Sequence, residues 1–204
     1  MKHVMLGMAL LACVGAAHGQ TPQKSAEECG VEPLAHYLRM SPEDFNQSPQ
    51  GWRSIGNAKQ GCDIAAADLI AAYHADMLKQ AAGIEWHEAQ GRAWGGQTAQ
   101  ALELFKRGLT YELSLPEDRR SYPNIYKAEA TVAFMENDLT RLQKARDNLA
   151  ALPMPEGVAE GVAKFKANYP NNPAPTWPPN LDAVEGLIRC FGQPYAKAWT
   201  CRTQ

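Results

Sequence analysis

Apolar residues recur at three- and four-residue steps through the middle of the chain, which is the spacing of one face of an α-helix. The first such stretch runs from Asp63 to about Ala82, with charged residues among the positions between the apolar ones. Its apolar stripe consists of Ala66, Leu69, Ile70, Tyr73 and Met77. The pattern predicts an amphipathic helix of roughly five turns.

Two further helical patterns are separated only by Gly95-Gly96. They predict helices over 84–94 and 98–109, because a glycine pair turns the chain through positive φ without steric cost. Helices joined by so short a turn pack antiparallel, so residues 84–109 predict a helical hairpin. The apolar stripe of its second helix is formed by Ala101, Leu104, Phe105 and Gly108. The small residues that allow the two helices to approach closely are Ala89, Ala93 and Ala101.

The same arrangement is predicted over 124–152, after a polar loop at 116–120. Its first helix, over 124–136, has an apolar face of Tyr126, Ala130, Ala133 and Phe134. Asp138 then suits the N-cap of a second helix, and Pro153 ends it. That second helix places Leu142, Ala145, Leu149 and Leu152 on one face. The two hairpins are offset by about forty residues, which is typical of stacked helical repeats.

Weaker patterns predict the elements towards the two ends of the chain. Ser41 precedes a proline and two acidic residues, as at the start of a short helix. Another helix is predicted over 158–169. Five prolines in 170–179 predict an extended segment that crosses the surface, with Trp177 as its anchor. Asn180 is the predicted cap of a final helix that contains Leu181, Val184, Leu187 and Ile188.

The cysteines add covalent constraints to this helical pattern. Those that follow the N-terminal segment are Cys29, Cys62, Cys190 and Cys201. An even number favours disulfides in an oxidising compartment, and three pairings are possible. The pairs Cys29–Cys62 and Cys190–Cys201 each close a local loop, so we predict them. No C-x-x-C pair is present, and no metal site is predicted. The predicted fold class is all-α, with antiparallel hairpins stapled by two disulfides.

The N-terminal segment predicts export. Lys2 and His3 precede an apolar run over 4–14, and small residues follow up to Gly19. This order is typical of a signal peptide over 1–19, cut before Gln20. The alternative is a lipoprotein box, Leu10-Leu11-Ala12-Cys13, which would leave an acylated Cys13 at the N-terminus. The cut before Gln20, which we favour, predicts a periplasmic or secreted protein, and the alternative predicts a lipoprotein anchored through Cys13.

Composition argues against nucleic acid as a partner, and the lengths of the apolar runs argue against a transmembrane span. The 20 Lys and Arg residues are interspersed with 22 Asp and Glu residues, so no basic cluster suits nucleic acid. No apolar run after the N-terminal segment is longer or free of charge, so no transmembrane span is predicted. The remaining chain, 20–204, is expected to form one α-helical domain.

Signatures of catalysis are missing from the sequence. His87-Glu88 begins like the zinc motif of metalloprotease helices, but Gly91 occupies the position of the second histidine. There is no nucleophile elbow, phosphate loop or dinucleotide fingerprint, so no cofactor and no catalytic residue are predicted. Whether the protein is an enzyme stays open, with a non-catalytic role favoured.

The first hairpin resembles a unit of the tetratricopeptide-repeat family. The resemblance rests on Trp86, Ala89, Ala93, Gly96, Ala101, Phe105 and Gly108. It covers roughly half the chain as one fair and one degenerate unit. The whole chain also resembles uncharacterised bacterial periplasmic proteins with such hairpins and a Cys-containing C-terminal helix. These likenesses imply a helical binding scaffold and name no substrate.

The tetratricopeptide resemblance implies a partner groove along the first helix of each hairpin. Trp86, Gln90 and Trp94 are spaced by four on that helix, with His87 beside them. Tryptophan offers a large contact area and a hydrogen-bond donor, as binding hot spots require. The forty-one-residue offset extends the groove to Lys127, Thr131 and Met135. The alternative is that the tryptophans fill the core of the hairpin.

Three functional hypotheses follow from these patterns. The first is an exported helical-repeat scaffold that binds a peptide or protein partner without catalysis. The second is an inhibitor or immunity protein against a secreted toxin, suggested by small size, export and disulfide staples. The third is a hydrolase that uses His74 and His87 with a nearby carboxylate of Glu85 or Asp76.

Overall fold

The computed structural model describes residues 21–56, 59–76 and 83–202. All regular elements in these ranges are helical, which confirms the predicted all-α class. The helices are α1 (Leu34–Tyr37), α2 (Pro42–Gln47), α3 (Asp63–Asp76), α4 (Glu85–Trp94), α5 (Thr98–Ser114), α6 (Tyr122–Met135), α7 (Leu139–Ala150), α8 (Val158–Asn168), α9 (Leu181–Arg189) and α10 (Tyr195–Trp199). Short 3-10 helices lie at Trp52–Ser54 and Glu117–Arg119.

Two sequence-based predictions extend beyond the described residues. The signal peptide over 1–19, with its alternative at Cys13, lies outside them. The same holds for the last part of the helix predicted to reach Ala82, since the description stops at Asp76 and resumes at Gly83. Within the described part, no helix is both long enough and apolar enough to cross a membrane.

The predicted first hairpin is formed by α4 and α5. Gly95 ends α4 and Gly96 adopts a φ of 87°, so the glycine pair makes the turn as expected. Helix α5 continues to Ser114, five residues beyond the predicted end. No helix breaker occurs before Pro116, and Leu115, directly before that proline, leaves the helical region with a ψ of 148°. The proline therefore sets the end of α5.

The predicted second hairpin is formed by α6 and α7. Helix α6 begins two residues earlier than predicted because Pro123 is tolerated in the first turn, where its missing N–H would have no helical partner. Asn137 makes the turn with a φ of 62°. The Asp138 carboxylate accepts a hydrogen bond from the Arg141 backbone N–H at 2.9 Å, which confirms the predicted N-cap.

Helix α3 packs closely on α4 at a glycine. A Cβ atom added to Gly91 would lie 2.9 Å from the backbone oxygen of Asp63 and 3.1 Å from the Ala67 Cβ. The buried residues Ala89 and Ala93 on α4 likewise have small side chains. Small residues therefore let α4 contact α3 on one side and α5 on the other.

The two disulfides have the predicted pairing. Cys29 and Cys62 are both fully buried, with Cα atoms 5.8 Å apart, and fasten the residues before α1 to the start of α3. Cys190 and Cys201, whose Cα atoms lie 6.3 Å apart, join the end of α9 to the residues after α10. For sequence separations of 33 and 11 residues, the loop-entropy model gives about 4 and about 3 kcal/mol of stabilisation, respectively.

The C-terminal part closes the chain back onto its middle. Helix α9 packs on α6 and α7, and α10, which the sequence pattern did not predict, packs on α9 and α4. Asn180 precedes α9 as expected, but its side chain makes no capping bond because the residue adopts a φ of 67°, so the predicted side-chain cap is wrong. Residues 170–179 contain no helix, and the Trp177 indole N–H donates to the Leu152 carbonyl at 3.1 Å.

The buried apolar residues form two clusters. The smaller cluster joins residues 29–55 to α3 and centres on Phe45 and Tyr73, whose ring centres lie 3.8 Å apart in a stack. The larger cluster is shared by α4, α5, α6, α7, α9 and α10. Helix α4 faces both clusters, because Trp52 of the smaller one contacts His87 and Ala89 belongs to the larger one.

The contact at Gly91 predicts opposite effects for two matched substitutions. Gly91→Ala should lower the free energy of unfolding by about 1–2 kcal/mol, because the new methyl meets backbone atoms that cannot rotate away. Gly161→Ala in α8, where no atom lies within 4 Å of the added Cβ, should raise it by about 0.5–1 kcal/mol through helix propensity. Urea denaturation followed by circular dichroism measures both. Equal effects would contradict the close packing of α3 on α4.

Candidate functional site

A cavity of about 430 Å³ opens where the first part of α4, the last part of α5 and the first part of α6 converge. Its volume is in the range of small-molecule and side-chain pockets. The residues that line it are His74, Gly83, Glu85, Trp86, His87, Gly108, Tyr111, Glu112, Asn124, Lys127 and Ala128. Among these described residues, aromatic rings, the Glu85 and Glu112 carboxylates and the Lys127 ammonium group share one concave surface.

Helical spacing explains why these side chains converge. Gly108, Tyr111 and Glu112 are three and four residues apart, so they share one face of α5. Asn124 and Lys127 are likewise three apart on α6. Each helix therefore contributes one face to the cavity, and the hairpin packing brings the faces together.

The first feature of the cavity is a cation–aromatic stack. The Lys127 Nζ lies 4.2 Å from the centre of the Trp86 ring, and the centre of the buried Phe105 ring lies 4.7 Å from that same ring. Burial lowers the pKa of Lys127, and the negative charge of Glu112 opposes that shift. The π-face of tryptophan attracts a cation electrostatically, which offsets part of the cost of desolvating the ammonium group.

The second feature is a neutral histidine beside another tryptophan. The His87 ring lies 5.0 Å from the Trp52 ring, and the Arg53 guanidinium lies 4.5 Å from that same indole. Burial lowers the pKa of His87 to about 4; the hydrogen bond to Gln90 opposes this shift, and the charges of Arg53 and Lys127 add to it. The imidazole is therefore uncharged at neutral pH.

The hydrogen bond fixes the tautomer of this imidazole. His87 Nδ1 lies 3.2 Å from Oε1 of Gln90, and because a carbonyl oxygen only accepts, Nδ1 donates. Nε2 is then left without a proton and can accept a hydrogen bond. This acceptor is the polar group that His87 can offer to a ligand.

Glu85, one of the two carboxylates in the described lining, is already engaged. Glu85 Oε1 lies 3.6 Å from His74 Nδ1 and 3.4 Å from Arg107 Nη2. His74 and His87, which the hydrolase hypothesis brought together, do line the same cavity. Within the described residues, however, they share no hydrogen bond, and no cluster of three metal-ligating side chains occurs there. Among the lining residues that the structure describes there is no serine, cysteine or threonine nucleophile.

The seven residues predicted to bind a partner do not form one surface. Trp86, His87 and Lys127 line the cavity. Trp94 lies farther along α4, where its ring is 6.1 Å from that of Trp199 in α10. Met135 is partly buried and packs against the larger apolar cluster.

The other two predicted residues, Gln90 and Thr131, are buried. Gln90 is 7% exposed and lies near Tyr195; burial raises the pKa of that phenol, and the Gln90 side chain opposes the rise. Thr131 is 1% exposed, and its hydroxyl donates to the Lys127 carbonyl at 2.9 Å within α6. Their polar groups therefore serve contacts within the protein.

Sequence reasoning missed several residues that shape the site. Tyr111 and Glu112 lie beyond the predicted end of α5, although their spacing from Gly108 continues the helical pattern and could have indicated them. Trp52 and Arg53 belong to a 3-10 helix far from α4 in sequence. No periodicity connects such a segment to His87, so no sequence signal was available for that contact.

No protein-family model matches the chain, and no curated protein or solved structure was found to be similar to it. The resemblance to tetratricopeptide hairpins rests on the residues named above.

The lowered pKa of His87 predicts a pH dependence of stability. The unfolded chain takes up the proton near pH 6.5 and the folded protein only near pH 4. The contribution of His87 to the free energy of unfolding is therefore complete above pH 6.5 and is lost as the pH falls to about 4. Proton NMR of the His87 ring should give a midpoint near pH 4.

The matched control for this titration is His87→Phe, which keeps a ring against Trp52 and has no titrating group. Its free energy of unfolding should change less than that of the wild type between pH 6.5 and 4. A His87 midpoint near 6.5 would contradict the buried, uncharged imidazole.

Proposed function

We propose that this protein is an exported α-helical binding module, without catalysis, that takes a group of a peptide or protein partner into the cavity beside Trp86. The single observation that supports this proposal most is the cavity itself. About 430 Å³ of space is lined by the Trp86 and Tyr111 rings and by a few polar groups. Concave sites of this kind are the usual location of ligand binding.

The rim of the cavity favours a partner larger than the cavity can enclose. Tyr111 is 54% exposed, and Leu113 on α5 and Tyr122 on α6 are also large apolar side chains that remain exposed. Aromatic residues around a pocket are typical of protein and peptide recognition. A partner can thus place one side chain in the cavity and contact the exposed Tyr111 ring that lines it.

The chemistry of the cavity favours binding over catalysis. A histidine whose pKa is about 4 is a poor general base at neutral pH, because the best catalytic pKa lies near the working pH. Glu85 contacts His74 and Arg107, and within the described residues no salt bridge or hydrogen bond joins it to His87. These contacts support a scaffold role better than the hydrolase hypothesis.

The disulfides are consistent with export. Disulfides persist in oxidising compartments and are rare in the cytosol. Cys29–Cys62 and Cys190–Cys201 fasten the two ends of the described chain. We therefore place the proposed partner in the periplasm or outside the cell.

Photo-crosslinking tests the location of the binding surface. We expect p-benzoylphenylalanine at position 111 to capture a discrete partner in cells that express the protein. The same group at Tyr169, which is also 54% exposed but lies directly after α8, should not capture it. Mass spectrometry of the crosslinked species identifies the partner and separates a peptide receptor from an inhibitor of a secreted enzyme. Equal capture at both positions would contradict the proposed site.

Two tryptophans of α4 provide a matched pair of substitutions. Trp86→Leu keeps apolar volume against Phe105 but removes the ring that lines the cavity, so capture at position 111 should fall at least about tenfold. Trp94→Leu removes a ring that contacts Trp199 outside the cavity, so it should lower the thermal midpoint and leave capture unchanged. Loss of capture in Trp94→Leu alone would overturn the assignment.

A further inference from the structure

Lys127 stands out among the charged groups of the cavity by what surrounds it. It is half-buried on the face of Trp86, and in the described part of the chain no carboxylate oxygen lies within 4.0 Å of its Nζ. Lys106 on α5 shows the contrasting case, since its Nζ lies 2.9 Å from Glu136. Lys127 is therefore a desolvated cation with an aromatic contact and no direct counter-ion among the residues described.

A second cation near the same place has the same character. The Arg53 guanidinium lies on Trp52, beside His87, and donates to the carbonyl and side-chain oxygens of Asn46. No salt bridge joins Arg53 to a carboxylate in the ranges described. The charges of both Arg53 and Lys127 help to lower the pKa of His87, so both cations lie within electrostatic range of its ring.

The negative groups around the cavity leave part of this charge unbalanced. Glu85 is shared between His74 and Arg107, and Glu112 acts on Lys127 only from beyond ion-pair distance. His87 is uncharged at neutral pH, and Tyr111 contributes an aromatic ring to the lining. Among the residues described, the lining thus offers the Lys127 ammonium group, whose charge a ligand can neutralise.

Asn124 supplies a second donor at the right position. It lies one helical turn before Lys127 on α6, and both residues line the cavity. The two oxygens of a carboxylate can accept from an ammonium group and an amide N–H at the same time. Charge-assisted hydrogen bonds of this kind are stronger than those between neutral groups.

We infer that the partner binds through a carboxylate that Lys127 and Asn124 hold in the cavity, with an adjacent apolar group against Trp86 and Tyr111. This inference rests on the proposed binding function and specifies its ligand class. The carboxylate belongs either to the C-terminus of a peptide or to an Asp or Glu side chain, since both present the same chemistry.

Three mixtures of tripeptides with N-terminal acetyl groups separate these sources. The first has free C-terminal carboxylates and contains no Asp or Glu; the second is amidated and contains Asp and Glu; the third is amidated and contains neither. Native mass spectrometry of the purified protein measures how much of each mixture is bound. We expect binding of the first or the second mixture to exceed that of the third about tenfold, the effect of one charge-assisted hydrogen bond.

Variants of Lys127 then assign the effect to its charge. Lys127→Met keeps the apolar stem on Trp86 and should reduce binding of the preferred mixture to the level of the third. Lys127→Arg should retain most of the preference, and Lys144→Met, at an exposed position on α7, should leave it unchanged. Asn124→Leu should weaken binding of the preferred mixture and leave binding of the third mixture unchanged.

The outcomes distinguish the inference from the function beneath it. Binding of all three mixtures to the same extent, unaltered by Lys127→Met, would overturn the carboxylate inference and leave the binding module standing. Binding of none of them, together with no capture at position 111, would overturn both. A carboxylate preference that Lys127→Met removes supports the inference, and the mixture that shows it identifies the source.

Discussion

The close contact between α3 and α4 at Gly91 is the constraint on which the candidate site depends. Helix α4 bears Trp86 and His87, and it is held by α3, α5 and α10 at once. A backbone oxygen near 2.9 Å from the position of an added Cβ leaves little freedom to shift or rotate α4. The orientation of α4 in turn decides that Trp86 faces Lys127 and that His87 faces Trp52.

This arrangement places charged and titratable groups where water is partly excluded. The cost of desolvation explains why the pKa values of both His87 and Lys127 are lowered. Cation–aromatic contacts recover part of that cost for Lys127 on Trp86 and for Arg53 on Trp52. A ligand that brings a negative charge would recover more, which links the packing of the helices to the proposed chemistry of binding.

Sequence periodicity predicted the helices of both hairpins because it depends only on which residues share a helical face. Periodicity did not predict the end of α5 or the presence of α10, because a proline sets the first and tertiary packing sets the second. The end of α5 is set by Pro116, two turns after the apolar stripe ends, so Tyr111 and Glu112 were left out of the predicted site. Helix α10 has only five residues, too few for a periodic pattern, and its position depends on packing against α9 and α4.

The sequence by itself determined the helical class, the two hairpins and the cysteines that form disulfides, because each of these depends on local spacing and composition. The hairpin offset also predicted Lys127 on the same side as Trp86, and the structure shows that these two side chains are in contact. Only the tertiary structure decided that Gln90 and Thr131 are buried, that Trp94 meets Trp199, and that the remaining residues enclose a cavity. These contacts join segments far apart in the chain, and their geometry arises when helix faces pack, which no local pattern specifies.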